Sequence, residues 1–364
     1  MSNGVQLIVA RSNLQLLLST ALAYATHQQY ASRLVFLPDM QEADWVERVL
    51  QRWSLHPFAR MDVLRPKEDA MRSGKLRPWR EWRRKMAHIV AETRPDVVTL
   101  FNDRQEIGQA VLIEVARCFP QALRQCVEDG ATAYVGFTYR AHSAVTCWRE
   151  RLRVGRGWTD VQVLGTHPLV QQFVALTPEL VRPELRHRPP RAFPVTALDA
   201  PPIQSLARLF CEAVEFDESD LVNGAVLLTL SHSSYIARNP EYLSMVKQVV
   251  MAVRRRGMPL LYKYHPRERA ADLLQMASIA PDAREVPRAI PVECLYLLVR
   301  AQRITIVGGM SSALLTASRL LPDTTIVALV HESSVGDKWD ESLMRRFNIV
   351  PVHEVTSSPI FSGG

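Results

Sequence analysis

A chain of 364 residues is too long for one ordinary hydrophobic core and predicts two domains of roughly 150 to 200 residues each. With 47% hydrophobic and 22% charged residues it has the composition of a soluble globular protein, and no apolar run approaches the ~20 residues a bilayer-spanning helix needs. The net charge is +7, and the five cysteines (Cys118, Cys126, Cys147, Cys211, Cys294) are scattered without C-x-x-C spacing, which argues for a reducing cytoplasm and against a structural zinc site.

Met1–Ala10 lacks the basic flank and small-residue cleavage site of a secretory signal, so a cytoplasmic location is expected. Strand and helix signals then alternate. Val5–Ala10 reads as a buried strand, Leu14–His27 as a helix, Arg33–Leu37 as a strand and Glu42–Arg52 as a helix. Asp96–Phe101 is a third strand, Glu106–Cys118 a helix with apolar residues at helical spacing, and Gln121–Val127 a short strand ending at Glu128. Between Arg60 and Lys85 lie ten Arg or Lys against four acids, ending in Pro78-Trp79-Arg80-Glu81-Trp82-Arg83-Arg84-Lys85. Two readings stay open for this stretch: a surface that meets anionic lipid headgroups at the inner face of the cytoplasmic membrane, or a solvated helix whose tryptophans pack inward. Nucleic acid is not expected, because no nucleic-acid-binding motif accompanies the charge.

The segment Arg182–Gln204 carries six prolines and almost no periodicity, and residues 191–205 read as a linker. A second alternating series follows: strand Val226–Leu230, helix Glu241–Arg255, strand Pro259–Tyr264, helix Val292–Arg300, strand Arg303–Val307, helix Ser311–Leu320 and strand Thr324–Leu329. Strands alternating with helices imply parallel sheets. The expected division is a first domain over 1–190 and a second over 206–364, with ligand bound beyond the carboxyl ends of the strands.

The motifs that carry chemistry sit at those ends. Glu128-Asp129-Gly130 places two carboxylates at a strand-to-loop junction, with a glycine that permits positive φ. Adjacent acids repel, which raises one pKa toward the range of a general base; a solvated turn is the bland alternative. Lys263-Tyr264-His265-Pro266 closes a strand in the second half. Proline holds His265 extended, so its imidazole can reach a phosphate oxygen, with Lys263 and Arg267 favouring an anion; a histidine satisfied by backbone is the alternative. His56-Pro57 and His167-Pro168 read as structural. Gly308-Gly309-Met310-Ser311-Ser312 follows a strand and opens a helix, so Ser311 and Ser312 either hold a phosphate or simply cap the helix. The Ser231-His232-Ser233-Ser234 loop directly follows the strand Val226–Leu230, from which Ser233 and Ser234 can touch the same phosphate or its sugar. Glu293, in a helix's first turn, either answers the helix dipole or accepts from ribose hydroxyls. Ser12, Asn13 and Gln15, with Asn102, lie on the first domain's ligand edge, where Ser12 and Asn13 are also natural caps. The chain has no D-x-D at a strand end, no G-x-x-x-x-G-K-[ST], no G-x-G-x-x-G, no G-x-S-x-G and no H-E-x-x-H.

In their order and spacing, Glu128-Asp129-Gly130, Lys263-Tyr264-His265-Pro266 and Ser311-Ser312 resemble the motifs of bacterial sialyltransferases, most of all the polysialyltransferase and lipooligosaccharide sialyltransferase group. The Ser12-Asn13-Leu14-Gln15 loop and Pro291-Val292-Glu293 are similar to that group as well. The resemblance implies a GT-B arrangement, two Rossmann-like domains with parallel sheets facing across a cleft. It also implies inverting, metal-independent transfer of sialic acid or a related nonulosonic acid from its CMP derivative to a glycan or lipid-linked glycan hydroxyl, with no cofactor. On this resemblance Glu128 is the general base, supported by Asp129. His265 meets the CMP phosphate with Lys263 and Pro266 beside it, Ser311 and Ser312 hold that phosphate, and Glu293 holds ribose. The first acid is Glu where many members have Asp, and the Trp79–Lys85 stretch matches no family motif. The motifs address CMP more than the sugar, so CMP-pseudaminate, CMP-legionaminate and CMP-Kdo remain alternative donors. A non-catalytic nucleotide- or glycan-binding protein on the same scaffold is the other alternative.

Overall fold

The computed structural model describes residues 4–38, 43–65, 76–188, 190–266, 268, 274–299, 303–331 and 340–362. The chain divides into two compact units, Met1–Leu206 and Ala207–Gly364.

The first unit is built on a seven-stranded sheet of order β3-β2-β1-β4-β5-β6-β7. Its strands are β1 (Gly4–Ala10), β2 (Tyr30–Phe36), β3 (Arg60–Val63), β4 (Val97–Leu100), β5 (Leu123–Val127), β6 (Gln172–Ala175) and β7 (Arg191–Ala192). Every pairing is parallel. Leu7–Ala10, Leu34–Phe36 and Val97–Val98 are buried, which is why these strands read as continuous apolar runs rather than alternating ones. Three buried polar side chains stitch the middle strands together: Gln6 Nε2 and Gln125 Nε2 both donate to Thr99 Oγ1, at 2.9 and 2.7 Å. The helices are α1 (Asn13–Thr26), α2 (Ala43–Arg52), α3 (Leu76–Thr93), α4 (Glu106–Cys118) and α5 (Ala144–Val154). Strand order reverses between β1 and β4, so the loops after β1, β4 and β5 surround the switch point where α/β sheets bind ligands.

One glycine positions this edge. A Cβ on Gly108, in the first turn of α4, would lie 2.6 Å from the carbonyl oxygen of Asn102, so the helix seats against the loop after β4 only because that residue has no side chain.

α6 (Pro201–Glu212) contains the boundary between the units. The second unit holds a six-stranded parallel sheet of order β10-β9-β8-β11-β12-β13. Its strands are β8 (Val226–Thr229), β9 (Leu260–Lys263), β10 (Arg284–Glu285), β11 (Thr305–Gly309), β12 (Thr325–Leu329) and β13 (Ile349–Val352). The larger helices are α7 (Pro240–Arg255), α8 (Val292–Leu298), α9 (Ser312–Leu320) and α10 (Glu341–Arg346). α7 buries Tyr242, Met245, Val246, Val249, Val250 and Val253, the stripe that helical periodicity requires; each fully buried aliphatic side chain contributes about 1.5–3 kcal/mol. The switch point lies between β8 and β11. A Cβ on Gly308 would stand 2.2 Å from Thr229 Oγ1, so the glycine pair lets the two strand ends meet.

One expectation changes, and one open choice is decided. The proline-rich residues 191–205 do not stand apart as a linker: β7 extends the sheet beside β6, Phe193 N donates to Ala175 O at 2.8 Å, and Trp53 Nε1 donates to Pro202 O at 3.2 Å. The prolines punctuate short elements packed onto the first unit. The tryptophans of α3 face inward, Trp79 at 6% and Trp82 at 9% exposure, in line with buried Met86, Ile89 and Val90. Arg80, Arg83, Arg84 and Lys85 occupy the exposed side. Upstream in the same basic stretch, Arg60 pairs with Asp62 and Glu92 and Arg65 with Asp44 and Glu47; residues 66–75 lie outside the described residues.

Candidate active site

Each unit gathers polar side chains at its own switch point. In the first, the adjacent acids at the end of β5 have different surroundings, because successive side chains of an extended chain point opposite ways. Glu128 is buried, and its Oε2 accepts from the Tyr134 hydroxyl and, at 2.6 Å, from the Leu176 N–H. The Tyr134 oxygen in turn accepts from Thr177 N at 3.1 Å, and burial together with the charge of Glu128 pushes the Tyr134 pKa well up. Glu128 therefore ties the loop after β5 to the end of β6.

Asp129 turns toward the switch point. Its Oδ2 accepts from Gln15 Nε2 at 3.0 Å, and Asn102 hydrogen-bonds to it as well. Both amides are oriented from behind. Gln15 Oε1 accepts the Arg11 N–H at 2.8 Å, and Asn102 Oδ1 accepts the N–H groups of Arg104 and Gln105 at 3.1 and 3.2 Å. With each carbonyl oxygen engaged by backbone donors, each NH₂ is left to face the carboxylate. Burial pushes the Asp129 pKa up and the two amide hydrogen bonds pull it partway back; neutral donors lower it less than a cation would. Gly130, at φ 73°, supplies the turn that follows. Ser12 caps α1, its hydroxyl accepting Gln15 N at 3.1 Å, and Asn13 is the helix's first residue. That cap sets the pitch at which Gln15 reaches Asp129.

A cluster absent from the sequence reading borders this edge. The Arg104 guanidinium lies 4.6 Å over the Tyr139 ring and 3.5 Å from Asp160. Asp160 receives the His142 N–H at 2.8 Å and contacts His142 Nδ1 at 2.5 Å. Burial, then the charges of Asp129 and Asp103, raises the Tyr139 pKa, against the charge of Arg104. Residues 134–143 have no periodicity; the sequential signal is the Tyr139-Arg140-Ala141-His142 run itself. Asp103, buried beside Asn102, accepts from Gly165 N and His167 N, both at 2.8 Å. His167 is buried and its pKa is lowered by that burial to about 4, so the ring is neutral and structural.

In the second unit His265 follows β9 and is half-buried, with Pro266 exposed. Its ring meets that of His232 edge-on, centroids 5.4 Å apart. The two loops are latched: Glu268 N donates to His265 O at 2.8 Å, and the Glu268 carboxylate accepts Ser233 N at 2.8 Å. Arg288 lies 4.7 Å over the Tyr264 ring and donates to Glu268 O at 3.0 Å. Ser234 N donates to His232 Nδ1 at 3.1 Å. The N–H groups of Ser233 and Ser234 are thus engaged within the loop, and the Ser234 hydroxyl also meets His232 Nδ1, at 2.9 Å. Ser311 is the extended N-cap of α9 and makes no capping bond to its own helix. Gly309 brings this turn against the loop after β8, since its Cβ would lie 2.8 Å from Ser231 Oγ. Ser312 opens the helix and is exposed.

Lys263 departs from expectation. The side chain is buried and its Nζ donates to the carbonyls of Pro287 and Arg288, at 3.2 and 3.1 Å. A residue of β9 that points into the fold holds the segment leading to α8 rather than turning outward with His265. Arg267, the other expected flanking cation, lies outside the described residues. Glu293 is buried in the first turn of α8; its charge adds to burial in pushing the Tyr296 hydroxyl well up.

Two parallel α/β units in series have the GT-B-type architecture, and with the family match that follows they mark an enzyme of the kind that modifies nucleotide-activated sugars. Residues 59–330 match the family model described as Alpha-2,8-polysialyltransferase (POLYST), and the chain belongs to that family. No curated protein sequence matches it. Among solved structures it is similar in fold to UDP-GlcNAc 2-epimerase from Methanocaldococcus jannaschii, with 11% identity, 96% of this chain and 88% of that one covered and a TM-score of 0.54. It is also similar to UDP-GlcNAc 2-epimerase from Neisseria meningitidis bound to UDP-GlcNAc, with 10% identity, 96% and 88% covered and a TM-score of 0.50.

Proposed function

We propose that the chain transfers sialic acid, or a related nonulosonic acid, from its CMP derivative to a glycan hydroxyl, with inversion and without a metal. The observation that carries this reading is the setting of Asp129, a carboxylate with a raised pKa whose hydrogen bonds come from the neutral amides of Gln15 and Asn102. That is the environment of a general base.

In the reaction the bond between the anomeric carbon and the CMP phosphate oxygen breaks as the acceptor oxygen bonds to the opposite face. The acceptor proton goes to Asp129, and the bonding pair leaves on phosphate. Glu128, engaged with Tyr134 and Leu176, positions the loop rather than taking the proton, so the two acids exchange the roles the resemblance implied. His265 donates to the departing phosphate. Ser311, Ser312 and the N–H groups at the start of α9 stabilise the charge that grows there. Glu293 accepts from ribose, and the Ser233 and Ser234 hydroxyls face the donor. Ser12 and Asn13 border the acceptor. Lys263 and Pro266 shape the His265 turn. The reading requires both clusters to act on one donor. Family membership supports it, and the Neisseria fold neighbour is a protein solved with a nucleotide sugar.

Mass analysis of products from a panel of CMP-sugars and acceptor glycans tests it. A glycan heavier by one or more nonulosonate residues, with CMP released, is the expected result. CMP binding without turnover on any pair would instead make this a non-catalytic nucleotide-binding protein.

A further inference from the structure

We infer that α5 is a membrane-docking helix that lies on an anionic lipid surface. The inference comes from which side chains this helix leaves in solvent. Val145, Trp148 and Leu152 are 75%, 64% and 49% exposed. At 100° per residue they fall on one stripe. Arg149 and Arg151 are exposed on opposite sides of that stripe, the placement from which long cationic side chains reach headgroups while the apolar residues enter the acyl boundary. The opposite face is anchored to the protein by buried Val154 and by the buried pair Glu150–Arg153, 3.0 Å apart.

The charge around the stripe is mostly positive. Exposed Arg156 follows the helix. Alongside, Arg80, Arg83 and Arg84 of α3 line a cavity of about 270 Å³ together with Val154 of α5. Of the nearby acids, Glu150 pairs with Arg153 and Arg149, and Glu114 with Arg117; exposed Glu81 stands among the cations of α3, which outnumber it. A cationic shelf beside an aliphatic and tryptophan stripe complements an anionic bilayer. A hydrated polyanion would use the arginines but has no use for Val145 and Leu152. The membrane surface is therefore carried by α5, and the arginines of α3, whose own tryptophans are buried, add only charge. α5 starts at the Ser143 cap, directly after His142, which the Asp160–Arg104 cluster joins to the loop of Asn102. Docking would set that edge of the first unit close to lipid-borne substrates. The inference is independent of which sugar is transferred.

Co-sedimentation of the full chain tests it, using vesicles of phosphatidylcholine alone or with phosphatidylglycerol. Binding to the anionic vesicles, weakened by salt, is expected. Trp148→Ser should lower it by about tenfold or more, and the double variant Arg151→Glu, Arg156→Glu should lower it by at least that much, since each basic residue near the surface contributes about 1 kcal/mol. Trp148, Arg151 and Arg156 are all exposed, so thermal unfolding should not change. Three results would overturn the proposal. One is wild-type protein recovered equally in the supernatant with and without vesicles. Another is vesicle binding indifferent to Trp148→Ser. The third is Trp148-dependent binding of soluble polysialic acid, or Trp148-dependent self-association, in the absence of vesicle binding.

Discussion

The two sheet edges occupy the same topological position in their units and hold opposite chemistry. After β5 the first unit presents a carboxylate steered by amides, a setting that favours taking up a proton. After β9 and β11 the second presents imidazoles, hydroxyls and a helix N-terminus, a setting that receives negative charge. On the proposed reading, one fold used twice supplies a proton acceptor in one unit and an anion site in the other, because switch-point loops vary while the strands beneath them do not.

Breaking each half in turn should rank the two. Asp129→Asn keeps the shape of the first edge and removes its base, so kcat should fall about a thousandfold or more in a CMP-release assay, with CMP affinity by calorimetry unchanged. His265→Ala should cost about a hundredfold in kcat, because the α9 N-terminus continues to stabilise phosphate. Ser311→Ala with Ser312→Ala should cost roughly tenfold to a hundredfold and, unlike Asp129→Asn, should weaken CMP binding. Equal losses from all three variants would erase the contrast between the edges.

The smaller effects sharpen the division within the acid pair. Glu128→Ala strands the Leu176 N–H and the Tyr134 hydroxyl and should lower stability by about 2 kcal/mol in urea unfolding, whereas Glu128→Gln should keep activity within about tenfold of wild type. The pH dependence should follow Asp129. Its folded pKa is raised, so kcat/KM should fall as pH drops through a value above that of an ordinary aspartate. Gln15→Leu removes a hydrogen bond that lowers that pKa and should move the acid limb to higher pH. Linkage gives the matching sign for stability. The contribution of a group with a raised folded pKa is present below the unfolded value and lost as pH rises through the folded one, so Asp129→Asn should be the more stable protein at neutral pH.

Much of this was legible in the chain. The apolar runs Val5–Ala10 and Val226–Leu230 are strands because both faces are covered, and the helical spacing of Glu106–Cys118 returns as α4. Other parts were not. Arg60–Val63 is short and polar and joins a sheet only because β2 offers it an edge. The prolines of 182–204 signal breaks without saying whether the pieces between them pack. The direction of Trp79 and Trp82 follows from their spacing: with Met86 and Ile89 they recur at helical intervals, the mark of a core-facing stripe, which decides between the two readings their basic neighbours leave open. Which of two adjacent acids is consumed by structure depends on Tyr134 and Leu176, six and 48 positions from Glu128, and no local pattern encodes that. His142 and Asp160 meet across a loop for the same reason.

The most direct measurement is glycan product formed per enzyme by Asp129→Asn and by Glu128→Gln, side by side with wild type, on a CMP-nonulosonate and an accepted glycan. The account predicts product from wild type and Glu128→Gln and essentially none from Asp129→Asn. Near-normal product from Asp129→Asn, with Glu128→Gln inactive, would contradict it.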